Sequence, residues 1–357
     1  MSTNILLRII LFPILVFSSI VCKKNTNPIE VENESPIIVS DSWSLLPNPP
    51  GNPIWSMSVS TDGIFYAGTD GLVRSIDDGL SWEQIYSSGT PNVIYVSPYD
   101  GMIILSLSGP FRTTTIYSTD NGVTWEQSNE QPKSSSIGNY LSLPSGEILA
   151  GGWVHDESTG GIFISKDKGV GWKRVPDFVK EPNVVAFALN SANEVYAVIA
   201  SGFLVYNTTA IYCSKDKGES WLQIPTPDSL IILNLVINKS DALIFSTNKS
   251  IFISESNTDN WKSLYPFIHN GYIESLGLDS NDNLLATFFD REDEMIKVLL
   301  FSQLSNNWYS IEGLNLPTSE NHISTLIGRD HHIYLATFGS GIYKTRLSID
   351  SILKQNL

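Results

Sequence analysis

The sequence predicts an all-β chain folded as a closed ring of seven four-stranded units, and three observations carry that reading. The first is an octet that recurs after runs rich in Ile, Tyr, Phe or Val: Ser75 to Trp82, Ser118 to Trp125, Ser165 to Trp172 and Ser214 to Trp221. The second is the spacing of the tryptophan that closes each copy or its degenerate equivalent. Trp43, Trp82, Trp125, Trp172, Trp221, Trp261 and Trp308 are separated by 39, 43, 47, 49, 40 and 47 residues, a period that marks a repeat architecture rather than several unrelated domains. The third ignores tryptophan. Seven times an apolar strand, a short polar turn and a second apolar strand follow one another, from Ile54 to Ser60 with Ile64 to Ala67 in the first unit to Ser324 to Ile327 with His332 to Ala336 in the seventh. Their turns carry Asp62-Gly63, Asp100-Gly101, Ser145-Gly146, Asn193, Asp241, Asp282 and Asp330, residues suited to a tight hairpin. Both countings give seven, the layout of a seven-bladed β-propeller.

Each octet reads as the turn between two strands. The Asp carboxylate accepts from backbone N–H groups two residues on, the Gly supplies a positive φ, and the Trp opens the next strand with a large apolar body. The structural set is Asp77, Gly79 and Trp82; Asp120, Gly122 and Trp125; Asp167, Gly169 and Trp172; Asp216, Gly218 and Trp221. The fifth unit, Ser254 to Trp261, has Ser for Asp and Thr for Gly, and the sixth, Ser302 to Trp308, is one residue short and lacks the Asp. Both keep the Trp, so its packing role is expected to outlast the turn chemistry.

The ends show how the ring closes. The seventh unit runs through Tyr334 to Thr337 and Gly341 to Thr345 and stops without an octet, whereas Asp41 to Pro47 is an orphan outer strand with no blade before it. Pairing the two makes the N-terminal strand the last strand of the last blade. The folded ring is thereby assigned to 39–347, with 348–357 as a C-terminal tail.

These octets resemble the Asp-box (BNR) repeat of the sialidase superfamily, whose members are β-propellers with this turn between the third and fourth strands of a blade. The superfamily includes sialidases, xyloglucan hydrolases, sortilin-type receptors and photosystem II assembly factors, so the resemblance implies a fold and leaves the activity open. A sialidase would need an Arg-Ile-Pro motif, six blades and three converging arginines. There is no Arg-Ile-Pro here, and beyond residue 21 the arginines number six: 74, 112, 174, 291, 329 and 346. Xyloglucan hydrolases place their catalytic Asp residues across two seven-bladed domains, and only one is read here. The assembly factors match in size and single ring but carry an Arg-rich patch that this chain lacks.

Residues 1–21 hold one charge, Arg8, and an apolar run from Ile9 to Val21 interrupted by Pro13. That run is too short to span a bilayer and reads as a secretory signal. Ser19-Ile20-Val21-Cys22 resembles the lipobox of bacterial lipoproteins, with Val21 where a small residue is usual. Lipidation at Cys22 is expected, with plain secretion and cleavage nearby as the alternative. Residues 22–38 then form a polar, acidic tether whose sixteen residues after the Cys span on the order of 20 to 25 Å. Expected, therefore, is an exported protein of the bacterial cell envelope, held to a membrane through Cys22. Cys213, the second of two cysteines, is expected to be a buried free thiol.

The chain carries 22 basic and 37 acidic residues, a net −15, which becomes −16 when Arg8 leaves with the signal. Such a surface repels phosphate backbones, and there is no Lys/Arg block, so no nucleic-acid partner is expected. A monomer with no cofactor is expected. The five histidines are scattered and give no metal or triad signature.

In propellers the loops between second and third strands, and between blades, crowd the face opposite the octet turns, and the resemblance places ligands there. The ligand-binding candidates on those loops are Phe111, Arg112, Trp153, His155, Phe203, Tyr206 and Arg291. Blades 3 and 6 stand nearly opposite, so Asp156 and Glu157 of one and Asp290 and Glu292 of the other have the makings of an acid and base pair for glycoside hydrolysis. The opposing reading is that these acidic runs are solvated loops, with Arg291 paired to its neighbours. A binding or assembly module contacting an envelope protein or glycan is the leading expectation, and a polysaccharide-acting glycoside hydrolase is the alternative.

Overall fold

The computed structural model describes residues 36–355 apart from 52, 108, 110–112, 130–131, 133–135, 154–159, 177, 180–181, 202–208, 228–229, 255–259, 266–270, 315 and 317–321. Seven antiparallel four-stranded blades form a β-propeller. Blade 1 runs from Ser56–Val59 to Glu83–Tyr86, blade 2 from Pro91–Val96 to Glu126–Gln127, and blade 3 from Ser136–Ser142 to Lys173–Arg174. Blade 4 runs from Pro182–Leu189 to Leu222–Ile224, blade 5 from Asn234–Ile237 to Trp261–Tyr265, and blade 6 from Gly271–Leu278 to Asn307–Leu314. The first strand of each blade touches the first strands of its two neighbours all the way round, blade 7 to blade 1 included, so these strands line the axis.

Burial explains the strand order. Second strands such as Phe65–Gly68, Ile103–Leu107 and Ile333–Thr337 are buried along their whole length, because each has a strand on both sides and a neighbouring blade on each face. Fourth strands such as Glu83–Tyr86 lie at the rim and are largely open to water. Apolar clusters fill each gap between blades; Phe163 of blade 3, for example, packs with Met102 and Tyr117 of blade 2.

Blade 7 consists of His322–Ile327, Ile333–Thr337, Gly341–Thr345 and the N-terminal strand. The expected closure is present, with Trp43 opposite Thr345 and Leu45 opposite Tyr343. The strand also does something the repeat pattern did not suggest. It is continuous over Ile37–Leu45, and its first part pairs in parallel with the outer strand of blade 6, from Ile37 opposite Tyr309 to Ser42 opposite Leu314. Two blades are therefore fused through one strand into an eight-stranded sheet. Val39 and Trp43, 6 % and 2 % exposed, anchor it in a core shared with Tyr309, Ile311, Leu335 and Tyr343. The segment 348–357, expected to be a tail, contributes helix Ile349–Gln355, which buries Ile349 and Ile352 in the same core.

The four complete octets superimpose in their hydrogen bonds and lie between third and fourth strands. Ser75 Oγ donates to Asp77 Oδ1 at 2.8 Å and accepts from Gly79 N at 2.8 Å, while Asp77 Oδ1 accepts from Ser81 N at 2.8 Å. The same three bonds recur at Asp120, Asp167 and Asp216. The carboxylate thus ties the N–H four residues on, not two, and the Ser hydroxyl fills the nearer place. Left-handed backbone is also needed twice. Asp78, Asn121, Lys168 and Lys217 have φ of 58°, 59°, 56° and 63°, each followed by the octet glycine at 82° to 90°. Two consecutive positive φ angles define the type I′ turn that a right-twisted hairpin prefers.

The octet tryptophans are staples between blades. Trp172 and Trp221 are 6 % and 8 % exposed, and Trp125 Nε1 donates to Ile85 O of the preceding blade at 3.3 Å. The degenerate blades behave alike, with Trp261 Nε1 donating to Pro225 O and Trp308 Nε1 to Leu264 O, both at 2.9 Å. The packing role does outlast the turn chemistry. In the first hairpin of blade 7 it is His331, φ 59°, and not Asp330, that takes the left-handed place. Asp330 instead accepts from Tyr334 Oη at 2.9 Å and pairs with Lys344 at 2.6 Å.

Charged pairs cross the octet face from blade to blade: Lys168 to Asp100 at 3.2 Å, Lys217 to Glu147 at 2.7 Å and Arg329 to Asp78 at 3.4 Å. Burial opposes ionisation of Glu147, but the Lys217 and Ser145 hydrogen bonds outweigh it and hold the carboxyl at about 2. Hydrogen bonds from Thr124 and Ser118 likewise hold Asp120 at about 2. Both values lie below the ordinary 4.5 and 3.8, so this stabilisation is complete above about pH 4.5 and drains away as pH falls toward 2. The melting temperature, followed by circular dichroism, is expected to be level from pH 7 to 5 and to fall steadily below 4.5. A level profile down to pH 2 would contradict this assignment.

Candidate functional site

The face opposite the octets carries the turns between second and third strands. Of the residues singled out there, Phe111, Arg112, His155, Asp156, Glu157, Phe203 and Tyr206 lie outside the described residues, as do Cys22 and the tether up to residue 35. Trp153, Asp290, Arg291 and Glu292 are described.

Trp153 ends the second strand of blade 3 and is half-buried. Its indole lies over Gly138, where a Cβ would come within 2.5 Å of Nε1, at the irregularity between Ile137 and Asn139. Much of its surface is therefore spent covering its own blade rather than offered to a ligand. In blade 6 the strands Leu284–Asp290 and Met295–Ser302 are joined by an exposed turn over 291–294. Asp290 pairs with Lys297 at 2.7 Å, and Lys297 also holds Asp293 at 2.6 Å. Burial pushes the Asp290 carboxyl up, but the Lys297 hydrogen bond and the Glu292 backbone N–H bring it below the ordinary carboxylate value. A group so held is charged at neutral pH and poorly suited to donate a proton as a general acid. Arg291 stands 5.5 Å from the ring centroid of Tyr272, a cation–π contact inside its own blade, while Glu292 is exposed. Among the described residues no group of three or more His, Cys, Asp or Glu side chains is placed to hold a metal ion.

Two further features were missed. A cavity of about 580 Å³ opens beside the N-terminal strand, with Ile296, Ile311 and Leu316 as its apolar floor and Lys297, Glu312 and Arg346 at its charged rim. The other is a pair of exposed rings at the seam of blades 7 and 1. Trp55 is 44 % and Phe338 36 % exposed, with centroids 4.9 Å apart and planes at 76°. Trp55 directly precedes the innermost strand of blade 1, and Phe338 follows the second strand of blade 7, so both stand on the face opposite the octets. One sequence signal pointed to Trp55: with Trp153 it is one of only two tryptophans outside the repeat spacing.

Elsewhere, Cys213 is a buried free thiol, as expected, and burial pushes its pKa up. Among the described residues no helix is long and apolar enough to cross a membrane.

Compared with known proteins, residues 160–333 match the family described as "Sortilin, neurotensin receptor 3". No curated protein sequence matches the chain. Among solved structures, YCF48 bound to D1 peptide is similar over 88 % of this chain and 99 % of its own, with a TM-score of 0.63 and 18 % identity. Virginiamycin B lyase from Staphylococcus aureus is similar over 82 % of this chain and 94 % of its own, with a TM-score of 0.62 and 16 % identity. The GH74 xyloglucanase from Xanthomonas campestris is similar over 79 % of this chain and 50 % of its own, with a TM-score of 0.56 and 15 % identity. At such identities the likeness is one of fold, shared by binding proteins and enzymes alike.

Proposed function

We propose that this chain is an exported propeller of a bacterial cell envelope, tethered through a lipid on Cys22, that binds a protein or glycan partner through the face opposite its octets. The octets are on this reading Asp-box repeats with a structural role. The observation that favours binding over bond cleavage is the Asp290–Lys297 ion pair at 2.7 Å, which engages one of the two described carboxylates among the acid and base candidates. A rigid ring with one face of variable loops is a platform for recognition. The extracellular domain of the putative hybrid two-component system BT4673 from B. thetaiotaomicron has a similar fold, with a TM-score of 0.62. This likeness to an extracellular domain supports the export reading by analogy of fold.

The test immobilises the chain and exposes it to solubilised envelope extract and mixed polysaccharides, recording what is retained and whether the glycans emerge shortened. Retention of one defined partner with glycans intact is the expected result. Shortened glycans, lost on Asp156→Asn or Asp290→Asn, would replace this reading with the hydrolase.

A further inference from the structure

We infer that Trp55 and Phe338 form a stacking subsite for one ring of a neutral glycan at the seam of blades 7 and 1. This deepens the loop-face reading above and rests on it.

Both rings are held in place before any ligand arrives. Trp55 is exposed between Ile54, 1 % exposed, and Ser56, 9 % exposed, and its backbone N–H donates to Gly68 O at 2.8 Å. Phe338 stands at a hairpin tip whose geometry is set by Gly339 and Gly341, with φ of 87° and 100°, and by Thr337 Oγ1 donating to Gly341 O at 2.9 Å. Binding here would cost little ordering entropy. The two part-open rings expose on the order of 150 Å² of apolar surface, far below the roughly 800 Å² per partner of a stable protein interface. That area suits a single sugar ring, whose C–H face can lie against an aromatic face.

Asp70, exposed, follows Gly68 and Thr69 in the adjoining turn, and Thr69 Oγ1 donates to Pro50 O at 2.8 Å, fixing the connection that leads to Trp55. The net charge of −15 disfavours acidic glycans, which is why the ligand is neutral.

The test titrates the full chain with cellohexaose, chitohexaose and mannohexaose by calorimetry, alongside Trp55→Ala, Trp55→Phe and Phe338→Ala. The expected result is binding of at least one hexasaccharide, weakened roughly tenfold by Trp55→Ala at an unchanged melting temperature. Trp55→Phe preserves the contact with Phe338 and should bind at an intermediate level, which keeps the test decisive if the alanine variant folds poorly. Binding unaffected by any of the three variants would overturn the subsite and leave the loop-face reading standing. A chain that retains envelope protein but none of these glycans would do the same. A chain that retains no partner of either kind would overturn both.

Discussion

A chain lacking residues 36–45 is expected to lose its cooperative unfolding transition. The deletion removes six parallel register pairs with blade 6 and three antiparallel pairs with blade 7. It also takes Val39 and Trp43 out of a shared core and leaves the edges of Gly341–Thr345 and Asn307–Leu314 unpaired. Losing one buried Trp alone costs about 3 to 5 kcal/mol, and the Val adds to it, against a typical total stability of about 5 to 15 kcal/mol. The exposed edges then favour aggregation. Scanning calorimetry should show a broad transition at least about 15 °C lower, or none. A second variant separates the two pairings: Trp43→Ala strikes the blade 7 contact while Ile37–Ser42 remains in place. If the deletion variant melts at the parent temperature, the N-terminal strand does not close the ring.

The second large effect is expected at the octets. Trp221→Ala should destabilise by about 3 to 5 kcal/mol, since the indole is 8 % exposed, stacks on Phe178 at 5.8 Å and donates to Gly218 O at 3.0 Å. A paired glycine experiment asks why the octet needs Gly. Gly218 and Gly146 have φ of 90° and 99°, so alanine strains the backbone at both by about 1 to 2 kcal/mol. Only at Gly218 would the new methyl meet a neighbouring blade, 2.6 Å from Leu149 Cδ2; at Gly146 nothing lies within 4 Å. Chemical denaturation should therefore show Gly218→Ala costing clearly more than Gly146→Ala. Equal costs would mean that backbone conformation alone, and not the approach of blades, fixes the glycine.

The ring and its turns were legible in the sequence because their determinants are local. Ser118, Asp120, Gly122 and Trp125 lie within eight residues and satisfy one another's hydrogen bonds, so the turn can be read without knowing its tertiary neighbours. The parallel pairing of Ile37–Ser42 with blade 6 was not legible, because alternating apolar residues fit either edge of a strand and nothing nearby chooses the partner. The site was harder still. Asp290 looked like a free carboxylate in an acidic run, but Lys297, seven residues on across the hairpin, neutralises it. Trp55 sat inside an apolar strand pattern that says which side chains share a face and not where the neighbouring wall ends.

The bridging strand also sets the order of events when the chain folds. Each blade from the first to the sixth can assemble from its own hairpins as it is made. The N-terminal strand finds its partners at Tyr309 to Leu314 and Tyr343 to Thr345, and Trp43 meets Thr345 about 300 residues away, so its contact order is close to the greatest the chain permits. The N-terminal strand can pair with blade 6 once Tyr309 to Leu314 is available, but its pairing with blade 7 needs Tyr343 to Thr345, close to the end of the ring.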